Sequence, residues 1–118
     1  MPNSALTTAV KPIAVLSAKR VAIIPEVPTS GEQGLAGVES SVWNAFFLPK
    51  GTPDAIVRKL NAAVNQSLEN PALRKRLEEL GLEIIPAEQR TPEYLAKFLP
   101  EDIARWAKPI HAAGISAD

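Results

Sequence analysis

The side chains that could carry out covalent chemistry are few and scattered. His111 is the single histidine and cysteine is absent. None of the serines Ser17, Ser40 and Ser41 lies in a Gly-x-Ser-x-Gly context. A nucleophilic hydrolase needs a nucleophile beside a base, and a metal site needs three or four ligands. The sequence therefore predicts no catalytic residue, no metal site and no cofactor, and we expect that the protein is not an enzyme.

Paired carboxylates and glycine-rich loops give no stronger signal. Glu78 and Glu79 are neighbours, but adjacent residues of a helix face different directions, and Arg74 and Lys75 precede them at the i,i+4 spacing of ordinary surface pairs. Gly31, Gly34 and Gly37 are spaced three apart but follow a loop rather than a strand, so nucleotide binding is not supported. An acid–base enzyme stays an alternative, for which the candidate bases are Asp54, Glu93 and Glu101.

Composition excludes two classes of partner. The 118 residues include 13 basic and 13 acidic side chains and are formally neutral, so the field that collects nucleic acid is absent. The purest apolar runs, Val21–Ile24 and Ala45–Leu48, are far shorter than the roughly 20 residues of a spanning helix. We expect no nucleic-acid partner and no membrane-embedded segment. The first ten residues lack Lys and Arg, which predicts no signal peptide. Either the protein stays in the cytoplasm or its natural start is missing.

Prolines preceded by polar residues predict where helices begin. In Thr52–Asp54 the threonine hydroxyl is expected to accept a hydrogen bond from the first turn, and the aspartate favours the positive end of the helix dipole. The same pattern recurs at Asn70–Pro71 and at Thr91–Pro92. Thr29–Glu32 matches a capping box and predicts a further short helix.

Glycine and proline also predict where these helices end. Gly81 and Gly114 follow apolar stripes at helical spacing and suit the left-handed residue after a helix. Pro100 lies inside the last helical pattern, so we expect a kink or break near Leu99 and a second segment from Pro100.

Apolar runs closed by turn residues predict about three short strands. They are Pro12–Leu16, Ser41–Leu48 and Leu82–Ile85. With four to five helices, the order becomes strand, helix, strand, helix, helix, strand and one or two helices. This order predicts an α/β or α+β protein, and we adopt α/β as the fold class.

A set of ordered motifs resembles one known family. The matching segments are Lys11–Arg20, Pro25–Thr29, Glu32–Leu35, Ser41–Pro53, Lys59–Asn61, Leu80–Gly81, Ile103–Trp106 and Ala113–Ile115. In this order and spacing they resemble the C-terminal portion of a Bug/TctC extracytoplasmic solute-binding protein, the receptor of tripartite tricarboxylate transporters.

The resemblance implies a fold, a function and partners. It implies a fragment of a type II periplasmic-binding-protein-like fold, in which residues 11–118 form the C-terminal portion of a two-lobed protein and are compact as one unit. Residues 1–10 are expected to be disordered or to reflect an alternative start. The implied function is capture of a small carboxylated metabolite in the periplasm and its delivery to transporter membrane subunits.

The resemblance also implies candidate ligand-binding residues. They are Ser17, Ser41, Trp43 and Asn44, at the end of the first strand and around the crossing strand. Each has a structural alternative: Ser17 caps the following turn, and Trp43 belongs to the core. A second functional hypothesis is a non-catalytic interaction module derived from this fold, a homo-oligomer that self-associates through the surface left by the missing lobe.

Overall fold

The computed structural model describes residues 10–116. Residues 1–10 were expected to be disordered or to reflect an alternative start. Of these ten, Val10 alone belongs to the described residues. Contacts between Cα atoms group the chain into two compact units. The first comprises the described part of Met1–Phe47 with Pro71–Glu83, and the second comprises Leu48–Asn70 with the described part of Ile84–Asp118.

Helices are the regular elements of the described chain. Helix α1 is Asp54–Leu68, α2 is Pro71–Glu79, a 3₁₀ turn covers Ala87–Gln89, and α3 is Pro92–Ala112. Helix α2 belongs to the first unit, while α1, the 3₁₀ turn and α3 belong to the second. Within the second unit, α3 contacts both α1 and the 3₁₀ turn.

The three helix starts predicted from prolines are confirmed in position, but one predicted cap is wrong. The Thr91 hydroxyl accepts a 3.1 Å hydrogen bond from the N–H of Tyr94, as a capping side chain does. At α1 the Thr52 hydroxyl instead donates to the carbonyl of Pro49 at 2.8 Å, and no side chain caps the helix. The hydroxyl is therefore used by the preceding turn.

Both predicted glycine stops are confirmed. Gly81 and Gly114 have φ of 76° and 65°. The N–H of Leu82 donates to the carbonyl of Leu77 at 3.0 Å, and that of Ile115 to Ile110 at 3.2 Å. These six-to-one hydrogen bonds are Schellman motifs, which satisfy carbonyls that the helix end leaves free.

The predicted break near Leu99 is wrong. Helix α3 continues over 21 residues with Pro100 and Pro109 inside it. An interior proline removes one donor to the carbonyl four residues earlier. The helix nevertheless continues through Pro100.

The strand predictions are not confirmed. In the described residues, pairing is limited to one parallel bridge, between Val15 and Thr29, and no strand is assigned to 41–48 or 82–85. The capping box at Thr29 closes a turn over residues 30–34 rather than a helix. A strand needs a partner that continues the hydrogen-bond ladder, which an apolar run cannot supply by itself. The observed order therefore lacks the predicted strands and the first helix.

Few side chains are fully buried. Among the described residues Val27 is the one buried apolar side chain, and Thr29 and Ser30 are buried beside it in sequence. The buried centre of the first unit thus lies at the segment that pairs with Val15.

Candidate ligand-binding site

Three segments of the first unit are joined by backbone hydrogen bonds around Val15. The N–H of Val15 donates to the carbonyl of Pro28 at 2.9 Å, and its carbonyl accepts from Ser30 at 2.8 Å. The next carbonyl, that of Leu16, accepts from the N–H of Ser40 at 2.8 Å. The segment 15–16 is therefore bound to 28–30 and to residue 40.

Two of the four candidate residues adjoin this hydrogen bond in sequence. Ser17 and Ser41 each directly follow one partner of the Leu16–Ser40 hydrogen bond. The Ser17 hydroxyl donates to the carbonyl of Lys19 at 2.7 Å, which is the local role considered as its alternative.

Trp43 and Asn44 lie further along the same segment. Trp43 is half-buried and Asn44 is exposed, and Val42 before them is 92% exposed. Burial changes in steps of two here, since Ala45 is half-buried and Phe46 exposed. This period is that of extended backbone, and it directs Trp43 and Asn44 to opposite sides.

Hydrogen bonds and an ion pair to the Glu32 carboxylate stabilise the turn after Thr29. The N–H of Thr29 donates to Glu32 Oε2 at 2.8 Å, and the N–H of Glu32 donates to Thr29 Oγ1 at 3.2 Å, so both bonds of the predicted capping box form. Arg20 donates through Nε and Nη2 to the same carboxylate and through Nη1 to the carbonyl of Pro25. The Arg20 guanidinium, followed by the Thr29 N–H, lowers the pKa of Glu32 to about 2.

Ser30 is a residue that the sequence did not single out. It is 2% exposed, and its hydroxyl is buried with no hydrogen-bond partner in the structure. A buried hydroxyl without a partner costs on the order of 1–3 kcal/mol. The signal available in the sequence was its place inside the capping box of Thr29 and Glu32.

The second unit has a polar cluster that sequence reasoning also missed. The side-chain amides of Asn61 and Asn65 donate to the carbonyl of Arg90 at 3.0 and 3.1 Å. The Arg90 guanidinium donates twice to Glu69 Oε1, each at 3.1 Å. Residues 61, 65 and 69 are spaced by four and therefore lie on one face of α1 and at its end. That spacing was the available signal.

A further ion pair joins α1 to α3. Arg58 of α1 contacts Glu93 of α3 and also Asp54 within its own helix. The Arg58 guanidinium lowers the pKa of Glu93. Two of the carboxylates considered as general bases are thus partners of one arginine.

The chemistry that this arrangement supports is non-covalent. The hydrogen-bonded segments carry hydroxyl, amide and backbone N–H groups, which can bind a carboxylate. Among the described residues no group of three His, Asp or Glu side chains could hold a metal ion. In the same residues, no helix combines the length and the apolar character needed to cross a membrane.

Comparison with known proteins gives a consistent result. Residues 6–115 match the family described as "Tripartite tricarboxylate transporter family receptor". The "UPF0065 protein in tcbD-tcbE intergenic region" of Pseudomonas sp. (strain P51) is 37% identical over 106 residues, which are 89% of this chain and 31% of that protein.

Two solved structures share the fold. The periplasmic binding protein BugD superposes with a TM-score of 0.80 at 33% identity, over 89% of this chain and 35% of BugD. MatC from Rhodopseudomonas palustris with bound malate superposes with a TM-score of 0.74 at 42% identity, over 79% of this chain and 32% of MatC. The described chain therefore has part of a periplasmic-binding-protein fold, and it spans about a third of the length of these relatives.

Proposed function

Because the chain belongs to the tripartite tricarboxylate transporter receptor family, we propose that it contributes one side of a binding site for a small carboxylate. The site is the end of the hydrogen-bonded segments at Ser17 and Ser41, and the further candidates Trp43 and Asn44 follow on the segment of Ser41. The protein acts by binding and not by catalysis.

The observation that supports this proposal is the Leu16–Ser40 hydrogen bond, which joins the two segments at the residues that precede Ser17 and Ser41. Hydroxyl and amide donors bind carboxylates without a cationic partner, and they suit a site with no convergent charge. MatC, which superposes on 79% of this chain, was solved with malate. A dicarboxylate of malate's size is therefore the first ligand to test.

The chain covers about a third of its relatives, so the described residues supply a part of the cleft. A ligand held on one side loses the contacts and the exclusion of water that closure provides. We expect weak binding, with Kd in the millimolar range, on the order of 4 kcal/mol of binding free energy. Residence in the periplasm and delivery to transporter membrane subunits are further parts of this proposal.

Amide chemical shifts during a malate titration test the proposal. We expect saturable changes at Ser17, Ser41 and Asn44, and a loss of at least threefold in affinity for Ser17→Ala and Ser41→Ala. The matched control is Ser67→Ala, because the Ser67 hydroxyl donates to Ala63 within α1. Absence of any saturable change up to ~50 mM, or equal losses in all three variants, contradicts the proposal. Tight 1:1 binding by the monomer contradicts the part of the proposal in which these residues supply only one side of the cleft.

A second candidate function is a non-catalytic interaction module that self-associates. It is favoured by the number of exposed apolar side chains, which include Val42 at 92% and Phe46 at 73% exposure. Exposed apolar side chains mark an interaction site where they form one patch. Sedimentation over a range of concentrations tests this candidate, and a persistent monomer contradicts it.

A further inference from the structure

The hydrogen of the Ser17 hydroxyl is already used within the chain. This hydroxyl donates to the carbonyl of Lys19 at 2.7 Å, which is the usual length of an O–H···O hydrogen bond. A serine hydroxyl has one hydrogen to donate and two lone pairs that accept. Among the described residues no group donates to the Ser17 oxygen. Ser17 therefore offers a ligand an acceptor and not a donor.

The backbone before this hydroxyl is held by hydrogen bonds. Both the N–H and the carbonyl of Val15 are bonded to residues 28–30, and the carbonyl of Leu16 accepts from Ser40. To donate to a ligand carboxylate, Ser17 has to break its bond to Lys19, whereas it can accept from a ligand and keep that bond. A chain of hydrogen bonds from the ligand through Ser17 to Lys19 also strengthens each member by polarisation.

Ser41 and Asn44 differ from Ser17 in this respect. Both are exposed, and neither side chain has a hydrogen-bond partner within the part of the chain that the structure describes. Their hydroxyl and amide hydrogens are available to a carboxylate, which only accepts. The candidate residues thus divide by polarity, with donors on the segment of Ser41 and an acceptor at Ser17.

We propose that Ser17 is a specificity-determining residue, which selects a dicarboxylate with a hydroxyl on its carbon chain over the same dicarboxylate without one. This inference rests on the proposed function, because it assigns the ligand class of that site. The segment 17–20 contains the basic residues Lys19 and Arg20 and no acidic residue, so a neutral hydroxyl suits it better than an ammonium group. Ser17 is half-buried, and one hydrogen bond there should favour the hydroxylated ligand by about three- to tenfold.

A comparison of four ligands on the unmodified 118-residue chain tests this selection. Amide chemical shifts are followed at constant ionic strength up to about 100 mM ligand, a range that includes affinities weaker than millimolar. Malate carries the hydroxyl, succinate lacks it, and 2-fluorosuccinate has an atom of similar size that cannot donate. We expect malate to bind about three- to tenfold more tightly than the other two. Aspartate, with an ammonium in place of the hydroxyl, should also bind more weakly than malate.

Two serine variants assign the preference to one residue. Ser17→Ala should lower the affinity for malate to that for succinate, so that the preference disappears. The matched control Ser41→Ala should weaken both ligands alike and keep the preference. If the amide spectrum shows that Ser17→Ala disturbs the fold, Ser17→Thr, which keeps a hydroxyl, should keep the preference instead.

The outcomes separate this inference from the proposed function. Equal affinity for malate and succinate, tighter binding of aspartate, or a preference that Ser17→Ala retains or Ser17→Thr loses overturns the role of Ser17 and preserves carboxylate binding. Tight binding of 2-fluorosuccinate, equal to that of malate, overturns it as well, because size and not donation would then be selected. If none of the four ligands gives saturable shifts, the proposed function fails and this inference fails with it.

Discussion

The side-chain amide of Asn61 lies 3.0 Å from the carbonyl oxygen of Arg90, across 29 positions of sequence. The amide of Asn65 reaches the same oxygen, so a single carbonyl fixes the chain before α3 to one face of α1. The relationship is specific because asparagine at both positions supplies a donor of the right length.

Removal of both amides should destabilise the second unit more than the two single changes suggest. In Asn61→Ala or Asn65→Ala the other amide still satisfies the carbonyl, so each change should cost about 0.5–1 kcal/mol. The double variant leaves a carbonyl without a donor and should cost about 2–3 kcal/mol. Urea unfolding measures the free energies, with the exposed Gln66→Ala as the control. Strict additivity would contradict the shared role.

The local signals of the sequence were more informative than its long-range ones. Thr91, Gly81 and Gly114 were predicted correctly because a cap or a left-handed residue depends on neighbours within six positions. The strand at 41–48 failed because pairing depends on a partner that an apolar run does not specify. The prediction of a break at Pro100 was wrong because it considered the one hydrogen bond that proline removes and not the length of the helix around it.

In the candidate site, too, local features could be predicted from the sequence and long-range contacts could not. Ser17 and Ser41 were chosen through a family resemblance, and the hydrogen bond between the residues before them, Leu16 and Ser40, joins positions 24 residues apart. Ser30 escaped notice because its burial is produced by the pairing with Val15 and cannot be read from the residue type. Which polar groups are buried is decided by contacts distant in sequence.

Acid should loosen the turn that holds Ser30. The folded-state pKa of Glu32 is about 2, lowered first by Arg20, while an unfolded glutamate titrates near 4.3. The stabilisation is thus complete above roughly pH 4.5 and is lost as pH falls through about 2. Unfolding free energies measured between these values should fall, and Glu32→Gln should flatten that part of the profile. An unchanged profile contradicts the role of Glu32, and Glu26→Gln is the control for an equal loss of charge.

Ser30→Ala should leave the unfolding free energy unchanged or raise it by up to about 1 kcal/mol, because it removes a buried hydroxyl that has no partner. The neighbouring Thr29→Val should lower it by about 1 kcal/mol, because the hydroxyl that accepts from the Glu32 N–H is lost. Thermal unfolding of both variants shows whether each substitution raises or lowers the stability. A destabilised Ser30→Ala would mean that its hydroxyl is bound in solution.

Gly81→Ala should destabilise the end of α2 by about 1–2 kcal/mol, since an alanine at φ 76° adopts the left-handed conformation. Space is not the cause: a Cβ at Gly81 would lie 3.7 Å from Ile23 Cγ2, an ordinary contact. The control is Gly31→Ala, where a Cβ would lie 3.8 Å from Thr29 Oγ1 and φ is not positive. There alanine should be neutral or stabilise by up to about 1 kcal/mol, because it restricts the unfolded chain. The two glycines have similar space for a Cβ but differ in φ. Urea unfolding measures the change in unfolding free energy for both variants. Equal losses of stability would show that crowding, and not backbone conformation, selects Gly81.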